Sequence, residues 1–269
     1  MRSVVLHLAV CLLSLALFGR EGAAATPLAV RQGAVERLLR TVAQELVDPS
    51  DAAAIDELIA VFTAQGSLSE AEPTAWMVLT FDHEGTLTAV QVNATALLEA
   101  PPLIQRAAVL HELEHLKRAR ETRRLLQDGG GRGVARLHHI VRVLVEDECR
   151  AYRRDILYVE GAISVQGGLE AYLAIRPPGE RAPTRRYHAQ HVAPFLATDG
   201  TINERRLRDF VFLETFPRRH PRQYTAALMW ETLQGHIEVR RASDGVWRPV
   251  RLLAPEAFLA WLVPLTILP

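Results

Sequence analysis

PPLIQRAAVLHELEHLKRAR, residues 101–120, reads as one helix that is apolar around most of its circumference and then turns basic. Pro101 and Pro102 suit a first helical turn, where a missing N–H costs nothing. Leu103, Ile104, Ala107, Ala108, Val109, Leu110, Leu113 and Leu116 cover most of its circumference until His115, so this helix belongs at the centre of a core. From Lys117 onward it must emerge into solvent, and its late cations suit a helix C-terminus. His111 and His115 lie four apart, on one face and one turn from each other, so both imidazoles can reach the same ion. Glu112 projects beside them.

This H-E-x-x-H pattern has the chemistry of a zinc site. Two His supply two nitrogen ligands, and the Glu can reach a water held at the open position. A catalytic zinc uses three protein ligands. An H-E-x-x-H-x-x-G-x-x-H extension is excluded, because Arg118 and Glu121 occupy the Gly and last His places. The other common solution is a Glu on a following helix, and the candidates are Glu146 and Glu148. Helical phase separates them. Leu144, Glu148, Ala151, Tyr152 and Asp155 share one face, whereas Glu146 falls near Arg142, Arg150 and Arg153. A Glu within an apolar stripe is costly unless paired or metal-bound, so Glu148 is the expected third ligand. The spacing, 148 − 115 = 33 residues, permits a Gly-rich reversal at Asp128–Gly133 and a return along an antiparallel helix, Val134 to Val159.

His111-Glu112-x-x-His115 followed by Glu148-x-x-Ala151 resembles the gluzincin-type zinc metallopeptidases over Trp76 to about Val159. The resemblance implies His111, His115 and Glu148 as ligands of Zn2+, Glu112 as general base, and a peptide or protein substrate. Some gluzincins carry an Asp four residues after the ligand Glu. Here that place is Tyr152, with Asp155 or Asp147 as substitutes. Tyr152, Tyr158, Tyr187, His188 and His191 are candidate oxyanion donors. The strand Leu87–Val92 resembles the edge on which such enzymes lay substrate. The alternative is a non-catalytic binding or structural protein on the same scaffold.

The flanks support an α+β, mostly helical, zincin-like fold with a small β-hairpin beside the motif helix. Helices are expected over Leu28–Val47 and from Asp51 to about Ala64, and strands over Trp76–Phe81 and Leu87–Val92 around a turn at Asp82–Gly85. Asn93-Ala94-Thr95 is a glycosylation sequon. Gly161 is expected to end the long helix, with another over Ala162–Ile175. Pro177–Pro183 reads as a linker, placing a zincin-like domain at 26–176 and a C-terminal helical and hairpin region at 184–269. Thr201 is expected to cap a helix ending near Pro217, Pro221 to open another through Gln234, and Ala242–Gly245 to turn a second hairpin. A short helix over Pro255–Val263 closes the pattern.

Composition excludes several classes. Lys and Arg total 31, as do Asp and Glu, so no basic excess points to nucleic acid. Arg2, the apolar run Val4–Phe18 and Ala23-Ala24-Ala25 form a signal peptide over 1–25, too short in its apolar part for a span of ~20 residues. The expectation is a secreted or periplasmic chain without a stable membrane span. Cys149 alone follows the signal, so no internal disulfide is available and stability must come from the core or from metal. His83 and His138-His139 are expected on the surface, and His188-x-x-His191 in a loop.

Overall fold

The computed structural model describes residues 28–69, 76–128 and 132–254. The expected signal peptide and the closing helix Pro255–Val263 lie outside them. The fold is mostly helical with a small sheet. Two compact units share the chain, Met1–Arg120 with Ala151–Ile202 and Glu121–Arg150 with Asn203–Pro269.

In the first unit, α1 (Leu28–Glu45) buries Val35, Leu39 and Val42, the helical spacing seen in the sequence. Helix α2 (Pro49–Gln65) begins where the Asp48 side chain accepts from the Ser50 N–H, with Pro49 in the first turn. Three strands follow: β1 (Ser67–Leu68), β2 (Met77–Phe81) and β3 (Leu87–Val92), in the order β1-β3-β2. The expected hairpin of β2 and β3 is antiparallel, with Met77 opposite Val92 and Leu79 opposite Val90. Strand β1 pairs in parallel with Gln91 and Val92. There β3 is a middle strand rather than the edge expected for it. A two-residue strand carries no readable period, which is why β1 was not expected. Asn93 of the sequon caps a short helix, α3 (Ala94–Glu99), by accepting from the Ala96 N–H at 3.0 Å.

The hairpin is fixed against the motif helix by Gly85. Its φ of +85° is a left-handed conformation that L side chains rarely adopt. A Cβ there would stand 2.9 Å from the backbone of Ala119 and Arg120. Asp82 completes the turn by accepting from the Glu84 and Thr86 N–H groups, each at 2.9 Å. Gly85→Ala therefore combines strain with a backbone clash, and should lower stability by about 2–3 kcal/mol in denaturant unfolding. An unchanged midpoint would show that the turn does not bear on the helix.

The motif helix is α4 (Pro102–Asp128), and the long returning helix is α5 (Val134–Ser164). Helix α5 continues past Gly161, where it was expected to stop. A helical Gly costs roughly 1 kcal/mol, and burial of Ile163 at 1% exposure offsets that. The stop falls instead at Gly167 and Gly168, with φ of +86° and +105°. The helix expected over Ala162–Ile175 shrinks accordingly to α6 (Leu169–Ala174). Pro177–Pro183, expected as a linker, instead opens a helix, α7 (Pro178–His191), which buries Thr184, Tyr187 and His191 on one face.

The second unit takes the end of α4 and the start of α5, joined where Thr122 Oγ1 donates to Asp147 at 2.9 Å. Helix α8 (Glu204–Phe210) is capped by Asn203, which accepts from the Arg206 N–H. Thr201, the expected cap, instead donates its hydroxyl to Asp199. A π-helical turn (Val211–Thr215), α9 (Phe216–Arg219) and α10 (Pro221–Leu233) follow. Leu207, Val211, Phe212, Phe216, Tyr224 and Leu228 form their core, each at 2% exposure or less. The second expected hairpin is present as β4 (Ile237–Arg241) and β5 (Trp247–Leu252). Among the described residues, no helix is long and apolar enough to cross a membrane.

Candidate metal centre

Helix α4 carries His111, Glu112 and His115 at 0%, 1% and 2% exposure. Their burial follows from the apolar ring read in the sequence, since Val109, Leu110 and Leu113 surround them in the same turns. The two His Nε2 atoms face each other at 3.3 Å. Two nitrogens bound to one tetrahedral zinc at 2.0–2.1 Å would stand ~3.3–3.4 Å apart, so the pair already has the spacing of shared ligands.

Helix α5 sets the orientation of His111. Asp155 Oδ2 lies 3.2 Å from His111 Nδ1, with side-chain exposures of 2% and 0%. A carboxylate at Nδ1 holds the proton there and leaves Nε2 as the ligand atom, the arrangement in which metal-binding His are normally oriented. Tyr152, one turn earlier, sets its ring edge on the His111 imidazole, with centroids 4.9 Å apart and planes at 87°. Of the two carboxylates offered as substitutes for the missing Asp, Asp155 takes the role. Asp147 is engaged by Thr122.

Glu148, two turns before Asp155 on the same helix, completes the group. His111, His115 and Glu148 are all buried, and each offers a ligand atom within 4.8 Å of the others. Two nitrogens and a carboxylate oxygen are a donor set that suits zinc. Glu146 goes elsewhere, accepting from Arg150 Nε at 3.2 Å and pairing with Arg208 at 3.4 Å.

Sequence reasoning missed the cation beside Glu148. Arg219 Nη1 lies 2.9 Å from Glu148 Oε2, with side-chain exposures of 3% and 8%. A carboxylate has two oxygens and about four lone-pair positions, so this ion pair and metal ligation are compatible. A ligand carboxylate is itself commonly hydrogen-bonded. The adjoining His220 has its pKa pushed down to about 4, chiefly by burial and further by Arg219, against the opposing carboxylates of Glu148 and Asp147. It is neutral at neutral pH. No signal in the Arg218-Arg219-His220-Pro221 stretch marked it for a site 71 residues from Glu148.

A second set of charges braces the outer side of the motif. Glu114 accepts from Arg118 at 3.0 Å and from Arg154 at 3.1 Å, and Asp51 accepts from Lys117 at 2.9 Å and also from Arg154. Burial works to raise Asp51, but hydrogen bonds from Arg154 and Lys117 outweigh it and hold its carboxyl below the ordinary value. The chain's one lysine thus ties α2 to the motif helix.

The other sequence candidates separate. Tyr187 is 6% exposed and stacks on Trp76, with His191 beside it at 4.9 Å between centroids. Burial first, then the Asp155 carboxylate and the Tyr152 phenol, raise Tyr187 well above the ordinary tyrosine value, so it stays an O–H donor. His191 is pushed down to about 4 by burial. His188 meets Glu160 at 3.2 Å, and both it and His191 sit on α7, not in the expected loop. His83 is exposed, as expected. His138 faces Glu231 at 3.6 Å and His139 contacts the Leu125 carbonyl, so neither joins the metal cluster. Cys149 is buried and forms no disulfide among the described residues. No protein family, curated protein or solved structure matches this chain.

Proposed function

We propose that the chain is an exported, zinc-dependent metallopeptidase of the gluzincin kind, acting on peptide or protein substrates. The carrying observation is the buried His111, His115 and Glu148 group with Asp155 behind His111. Export is supported by the N-terminal sequence alone. A zinc ion bound by the three residues would act as Lewis acid toward the scissile carbonyl and lower the pKa of a water toward ~7.

The chain's own groups account for the remaining work. Glu112 follows His111 by one residue, so its side chain lies about 60° around the helix from that of His115. In that position it takes the proton of the attacking water and returns it to the leaving amine. A purely structural site has no use for a buried carboxylate there, and burying one costs free energy. Asp155 keeps the His111 proton on Nδ1 throughout. Tyr152, packed against His111, and Tyr187, close enough to Asp155 to feel its charge, are phenols proposed as donors to the developing oxyanion.

One observation favours the non-catalytic alternative. Arg219 balances the charge of Glu148, so the group could be a neutralised polar cluster that needs no ion. Metal analysis decides between them. The enzyme reading expects one zinc per purified chain, and hydrolysis of a casein substrate that ceases on chelation and returns with zinc. Protein purified with zinc present that carries none, and cleaves nothing, sinks it.

A further inference from the structure

A second concave feature lies on the first unit, between the start of α4, the last turns of α5 and α6. It is a groove of about 530 Å³ lined by Arg106, Arg176, Tyr158, Tyr172, Leu157 and Val165, among others, with no Asp or Glu in its lining. That volume is ample for a small ligand. The charged groups of its lining are the two arginines. The Nε atoms of both are buried and have no hydrogen-bond partner among the described residues. A buried guanidinium N–H without an acceptor is costly, and an oxygen anion is the acceptor that suits it. The Arg176 guanidinium lies over the Tyr172 ring, 4.4 Å from its centroid. Burial raises both phenols above their ordinary value, against the opposing arginines, so each remains an O–H donor. The lining also has an apolar part, in which Leu157 and Val165 stay 48% and 83% exposed.

The charge balance selects the ligand. Glu45 already pairs with Arg106 at 2.7 Å. Glu180 stands near enough to Tyr172 to raise its pKa, so with Glu45 it leaves the groove at most about one net positive charge, which matches a monoanion better than a phosphate. We propose that this groove binds a monocarboxylate on an apolar body, either an acyl chain or the C-terminal residues of a peptide. The carboxylate lies between Arg106 and Arg176, and the body covers Leu157 and Val165. This site stands apart from the metal reading, since it uses none of the cluster residues.

Calorimetric titration of the full chain tests it with paired ligands: octanoate against octan-1-ol, and N-acetyl-Leu-Val with a free against an amidated C-terminus. Each acid that binds should do so about tenfold or more tightly than its neutral partner, the loss expected for one charge-assisted contact. Octanoate alone binding identifies an acyl ligand, and the peptide acid alone identifies a chain end. Arg176→Gln should remove the preference. Arg185→Gln, at an exposed ion pair with Glu170 outside the lining, should keep it. Because the ligand pairs are compared on unaltered protein, a misfolded variant does not blur the answer. Equal binding of acid and neutral analogue, or no binding of either acid at millimolar concentration, overturns the proposal.

Discussion

Under the proposed zinc-peptidase function, Glu112→Gln is expected to retain a bound zinc ion and lose hydrolysis by about 10³-fold or more. General acid–base groups contribute roughly 10²–10⁴-fold, and Glu112 is asked to serve both halves of the reaction. Gln has the same shape, so the backbone of α4 and the orientation of His111 and His115 are undisturbed. It cannot take up a proton. The residue is 1% exposed, and replacing a buried carboxylate by a neutral amide removes a desolvation cost. Thermal stability should therefore hold or rise while the rate falls. Metal content by mass spectrometry, unfolding midpoint and peptide hydrolysis are read on the same sample. Hydrolysis at the unaltered rate would remove Glu112 from the mechanism. Loss of the ion with an intact fold would instead make it a ligand.

Arg219→Met should destabilise the metal-free protein by about 3 kcal/mol, within the roughly 3–5 kcal/mol expected when one member of a buried ion pair is removed. The guanidinium and the Glu148 carboxylate are 3% and 8% exposed, so water cannot replace the lost partner cheaply. Zinc changes the comparison. A cation bound by Glu148 supplies the positive charge that Arg219 supplied, and binding to the folded state alone stabilises it by mass action. The increase in unfolding midpoint on adding zinc should therefore be larger for Arg219→Met than for the unaltered chain. Equal midpoints in chelator would show that the ion pair contributes nothing. Equal zinc increments would separate Arg219 from the metal.

The site was legible in the sequence wherever one helix carried the information. His111, Glu112 and His115 follow from a four-residue spacing inside an apolar helix. Glu148 over Glu146 follows from phase on α5, and the structure gives Glu146 to Arg150 and Arg208 instead. Asp155 against Asp147 stayed open because phase along α5 does not say which carboxylate reaches His111 on another helix, and the structure sets Asp155 against His111 and gives Asp147 to Thr122. Arg219 was beyond reach, since a contact across 71 residues leaves no periodic trace.

The fold shows the same division. Both hairpins were marked by turn residues, and α1, α2 and α4 by their apolar spacing. The departures lie where local signals were overruled by packing. Burial of Ile163 carries α5 through Gly161, and burial of Thr184, Tyr187 and His191 draws the proline-rich stretch into α7. Strand β1 and helix α3 are too short for any period to announce them.

The dispersal of the second unit over two separate stretches has a consequence for the order in which the centre is assembled. His111, His115, Glu148 and Asp155 all precede residue 156, whereas Arg219 is made 219 − 155 = 64 residues later. At ~5–20 residues per second of synthesis, a nascent chain holds every donor of the cluster for several seconds before the counter-ion of Glu148 exists. Under the proposed metal reading, an ion bound during that interval would meet Glu148 before Arg219 does.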